Sequence, residues 1–196
     1  MFFSTLIFLV HLQAVLIPYA LGVRSLKRFK YLENPYLIPI GFTMLGFASL
    51  SEMIDHAHTE WIYVNHLSIF NWFFYSFLSL GLSFLTIASI KNKLFILLIL
   101  SFCFSSISSY WFLGKSISLI FQTIISISLI YSWNRVFKDW MILGYPFFGI
   151  FLTTFFGVNL SQSGNQIWHI FIGPSGSISV LIFYIILKRS KLKKLI

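Results

Sequence analysis

Charge is what this sequence has least of. Only 10% of its 196 residues are Asp, Glu, Lys or Arg, and just five are acids. Hydrophobic residues make up 58% and the mean hydropathy is +0.86, whereas a soluble domain is roughly 45–50% apolar. A soluble globular domain is thereby excluded. Cysteine is nearly absent as well. The single Cys103 rules out an internal disulfide and a thiolate metal cluster. The opening MFFSTL has no basic residue, and no small-x-small cleavage site follows it, so the first apolar run reads as a retained helix rather than a signal peptide. Span 7 holds no lysine before Lys188, which argues against a retinal Schiff base.

What is present in quantity is apolar length. A helix needs about 20 apolar residues to cross a bilayer, and a barrel strand only about ten in alternation. The runs here are long and continuous, which predicts an all-α, polytopic bundle. Seven transmembrane helices are expected, at about 2–22, 36–57, 67–90, 94–113, 117–134, 140–159 and 167–187, within a single domain covering 1–196.

The few charges are sorted. Of the 14 Lys and Arg, all but Lys115 fall between spans 1 and 2, 3 and 4, or 5 and 6, or after span 7. Cations near span ends stay on the cytoplasmic side. The N-terminus is therefore expected outside and the C-terminus inside, in a plasma or inner membrane. The net charge of +9 then serves orientation and contact with anionic lipids at the inner face rather than nucleic acid. No histidine lies on that basic side, which argues against a haem shuttle with sites on both leaflets.

The other side collects the groups capable of chemistry. LSEMIDHAHTEW, Leu50 to Trp61, carries Glu52, Asp55, His56, His58 and Glu60; His66, Asn71, Asn165 and His169 fall at neighbouring span ends. Residues three, four and seven apart share a helix face, giving two stripes in span 2: Ser49–Glu52–His56 and Ser51–Asp55–His58. An acid near the middle of a span costs about 2.5–3.5 kcal/mol on insertion scales, so Glu52 and Asp55 need partners or a watered cavity. Imidazoles with an open position suit zinc, whose bound water ionises near neutral pH. The candidate ligands are His56, His66 and His169, with His58 a further imidazole nearby. Glu52 or Asp55 would be the base. The bland readings stand beside these: a headgroup or capping contact for His58 and His66, an interfacial loop for Glu60 and Trp61, and packing for His11, nearer mid-membrane. The serine-rich run SFCFSSISSYWFLGKSISLIF reads as close helix packing.

With these residues in place, the layout resembles the seven-span hydrolase superfamily of alkaline ceramidases and adiponectin/progestin-type receptors. NQIWHIFIG is similar to the ceramidase span-7 stretch in which Trp precedes a metal-binding His, and GFASLSEMIDHAH to the small-and-Ser run that leads to the span-2 His. The resemblance implies His169 and His56 as zinc ligands and Ser51 as the hydroxyl on the oxyanion. It also has departures: Ser51 and His56 are five apart rather than four, Asn165 stands where the first span-7 His belongs, Asn71 is the nearest polar residue to the span-3 Asp, and the acidic calcium-binding segment is missing. The leading expectation is a zinc-assisted membrane hydrolase cleaving a lipid amide or ester near the outer leaflet, in a cavity between spans 2, 3 and 7. The alternative is a non-enzymatic seven-span protein that binds a ligand, ion or partner through the outer His/acid cluster. A proton-coupled transporter is a third reading, opposed by the lack of ionisable groups through the membrane depth.

Overall fold

A computed structural model describes residues 2–58, 69–152, 155–156 and 168–193, with side chains except at 2–4, 56–58, 168–169 and 191–193. Six helices are long and apolar enough to cross a membrane: α1 (Phe2–Ser25), α2 (Leu37–His58), α3 (Ile69–Ile87), α4 (Lys93–Phe112), α5 (Lys115–Phe137) and α6 (Trp168–Lys193). There is no strand among the described residues. The chain is a multi-pass membrane protein, as its composition requires.

The expected sixth span, 140–159, is not one regular helix. A 3₁₀ turn at Trp140–Leu143 leads into a π-helical segment, Pro146–Leu152. Pro146 explains the departure: it lacks an N–H and its ring collides with the carbonyl four residues back, so the i→i−4 ladder cannot run through it. Asp139 starts the turn, its Oδ1 accepting from the Met141 amide at 3.1 Å.

Seven crossings are nonetheless required. The ends of α1, α3, α5 and α6 meet on one side of the bundle, tied by specific contacts. Glu33 pairs with Lys91 at 3.1 Å, and Asp139 lies 3.8 Å from Arg189. The Tyr31 hydroxyl donates to the Leu187 carbonyl at 2.7 Å and meets Ser190 Oγ at 2.5 Å, while Asn34 Nδ2 donates to the Ile87 and Ile90 carbonyls. Since α5 ends here and α6 also ends here, the chain must cross once more between Phe137 and Trp168. The last described residues of α1 and α6 thus lie at the same face, so α1 begins and α6 ends at opposite faces of the bundle.

The apolar core is concentrated toward this basic end. Phe42, Leu85, Leu129, Trp133, Phe183 and Leu187 are fully buried there. The Trp133 indole N–H donates to the Leu85 carbonyl at 2.9 Å, joining α5 to α3. Two glycines allow α2 and α3 to touch backbone to backbone: a Cβ on Gly81 would lie 2.7 Å from Leu45 Cδ2 and 3.1 Å from the Gly41 carbonyl. The serines of the α3–α4–α5 seam behave as small, hydrogen-bonded packing residues, with Ser79 and Ser106 at 2.9 Å and Ser118 Oγ donating to the Ser106 carbonyl at 2.8 Å.

Helix α1 packs against both α2 and α6, and α6 also carries the Trp140–Leu152 segment. Helices α2 and α6 also meet in the core, the Phe42 and Tyr184 rings lying 6.5 Å apart. Helix α4 lies on the outside of the bundle. It is capped by Asn92, whose Oδ1 accepts from Leu94 and Phe95, and ends at Leu113 before Gly114, whose φ of +90° only glycine adopts without strain.

Candidate functional site

The end of the bundle opposite the basic one carries a polar cluster built from five helices. Helix α2 supplies two acids one turn apart, and the structure separates their stripes. Ser51 and Asp55 are buried, at 7% and 2% exposure, while Glu52 beside them is partly buried. Ser51 donates its hydroxyl back to the Phe47 carbonyl at 2.9 Å, a local bond that lowers the cost of holding a hydroxyl in an apolar helix.

Opposite α2, the early turns of α3 present Asn71 and Tyr75. Asn71, 8% exposed, accepts from the Tyr110 hydroxyl of α4 at 2.8 Å. The Tyr75 ring lies 5.7 Å from that of Tyr110, centroid to centroid, and Gln122 of α5 donates to the Tyr75 carbonyl at 2.9 Å. Lys115, the first residue of α5, sets its ammonium 5.0 Å from the centre of the Tyr75 ring, within the range of a cation–π contact.

These groups act on one another electrostatically. Glu52 feels His11, Asp55 and Lys115; Tyr75 feels Glu52, and Tyr110 feels Asp55. His11 of α1 thus lies within electrostatic range of Glu52. It is 5% exposed, and its Nδ1 is 2.9 Å from the Ile7 carbonyl. A carbonyl only accepts, so Nδ1 carries the hydrogen and, in the neutral ring, Nε2 is the basic nitrogen.

The arrangement holds two carboxylates, one ammonium and one imidazole in a low-dielectric setting lined by tyrosines and amides. Its acids outnumber its one lysine, a donor set suited to a small cation or an ammonium group. Among the described residues, no three His, Cys, Asp or Glu come together as metal ligands. His56 and His169 lie on α2 and α6 where only the backbone is described, and His66, Glu60, Trp61 and Asn165 lie outside the described residues.

Tyr75, Tyr110, Lys115 and Gln122 were not among the sequence candidates. Lys115 did carry a signal, as the one cation on the wrong side of the charge sorting, and Gln122 as a lone amide in an apolar helix. The tyrosines carried none, since the chain has nine.

A family model described as "Seven transmembrane receptor" matches residues 3–193. No curated protein and no solved structure matches the chain. The family match overturns the likeness to alkaline ceramidases and adiponectin/progestin-type receptors. That likeness rested on two short stretches, at His56 and His169, whose small and apolar flanks any closely packed membrane helix supplies.

Proposed function

The chain belongs to that seven transmembrane receptor family, and on this basis we propose that it is a receptor-like, non-enzymatic membrane protein whose polar cluster binds a small cation or ammonium-bearing ligand. The observation that carries the reading is the gathering of Glu52, Asp55, Lys115 and His11 within electrostatic reach at the end of an otherwise apolar bundle. Ionisable groups inside membrane spans are costly and mark ligand or ion sites by default. The bias of Lys and Arg toward the other end supports an N-terminus outside, with the cluster open to that side.

The test uses purified protein in detergent, titrated with sodium, potassium, zinc and ethanolamine while thermal unfolding is followed. Saturable stabilisation by one of these, absent in Glu52→Gln, is the expected result. At a concentration 100 times Kd the shift corresponds to about 2.7 kcal/mol. Stabilisation by zinc that depends on His56 and His169 would return the site to metal chemistry. Turnover of an amide- or ester-linked lipid would overturn the non-enzymatic reading.

A further inference from the structure

At the basic end, between the close of α1 and the first turns of α2, an apolar groove of about 380 Å³ is lined by Leu26, Tyr36, Pro39, Ile40, Thr43 and Met44. It follows α2 inward from Tyr36 to Met44, eight residues or about 12 Å of helix. Its floor is a close approach of the two helices, where a Cβ on Gly22 would lie 3.0 Å from Thr43 Oγ and 3.2 Å from the Pro39 carbonyl. Of the two hydroxyls in the lining, that of Thr43 is already satisfied, donating to the Pro39 carbonyl at 2.8 Å, and that of Tyr36 belongs to an exposed ring at the groove's end. Between Pro39 and Met44 the groove therefore offers water no free side-chain hydroxyl.

The chain on either side of the groove's Leu26 is rich in cations. Leu26 is followed directly by Lys27, which holds a left-handed φ of 61°, and Arg24 and Lys30 flank the pair; all three are exposed. The only acid of this connection, Glu33, is taken by Lys91. Among the described residues Arg24, Lys27 and Lys30 have no carboxylate partner.

We infer that this groove is a binding site for an anionic phospholipid, one acyl chain lying along Ile40 and Met44 and the phosphate held by Arg24, Lys27 and Lys30. The pairing of the two halves points to a lipid rather than to a second protein: the apolar part sits inside the span, where only acyl chains are plentiful, and the cations sit at its rim. Cations near a membrane surface attract anionic headgroups, but a surface field alone has no use for a dry groove. The site is independent of the polar cluster at the other end.

The experiment places the full chain in nanodiscs of equimolar phosphatidylcholine and phosphatidylglycerol and reads the lipids retained on release by native mass spectrometry. Wild type retains phosphatidylglycerol in preference. Arg24→Gln and Lys27→Gln each lower that preference about five-fold, and Ile40→Trp, which fills the groove and leaves every cation in place, removes it. All three positions are exposed, so folding is retained and is checked by size exclusion; Met44→Phe serves as the second groove-filling variant. Equal retention of the two lipids by wild type overturns the site. So does an unchanged preference in both groove-filling variants, which would leave only diffuse surface charge.

Discussion

Neutralising one member of the polar cluster separates what a charge costs from what it does. Two carboxylates face one lysine there, so the two possible deletions have opposite signs. Glu52→Gln takes a carboxylate out of the span and relieves its repulsion with Asp55; stability rises by about 1 kcal/mol while the ligand response is lost. Lys115→Met removes the cation that acts on Glu52 and lowers stability by about 1 kcal/mol. Unfolding of the two variants in detergent against wild type checks the pair, and shifts of the same sign would mean the three groups are not coupled. At the other end, Trp133→Phe removes both volume and the N–H bonded to Leu85, at a cost of about 2 kcal/mol in the same assay. The acids were legible in the sequence because a carboxylate stands out in an apolar span. Tyr75 and Tyr110 were not, because what makes them members of the site is the orientation of neighbouring helices.

The six regular helices could be read directly from apolar length, since any segment of that composition must satisfy its backbone internally once in lipid. The 140–159 span could not. Hydropathy counts side chains and is indifferent to whether a carbonyl is met from four or five residues on; only Pro146 betrayed the change of pitch. Helix partners were equally hidden, since apolar length does not say that α1 packs on both α2 and α6. Two substitutions probe the elements. Gly81→Val forces α3 away from Gly41 and Leu45 and costs about 2–3 kcal/mol, seen as a lower unfolding temperature. Asp139→Asn keeps the acceptor for Met141 and loses only the Arg189 pair, whereas Asp139→Ala loses both; the second is expected to be less stable than the first by about 1 kcal/mol.

For the whole molecule, the expected arrangement is a basic face inside and a polar face outside. Cys103 is buried in α4, so replacing it with serine gives a background for single cysteines. Leu113→Cys in intact cells is expected to react with an impermeant maleimide, and Lys91→Cys only after permeabilisation; the reverse pattern would invert the protein and move the ligand site to the cytoplasm. The exterior position of α4 has its own consequence. Its 20 residues rise about 30 Å, which equals the thickness of a typical hydrocarbon layer. Asn92 fixes one end and Gly114 the other, so the helix has no spare turn to extend or unwind. In a thinner or thicker bilayer α4 must answer the mismatch by changing its tilt, and the hydrogen bond from Tyr110 to Asn71 carries that tilt to the edge of the polar cluster.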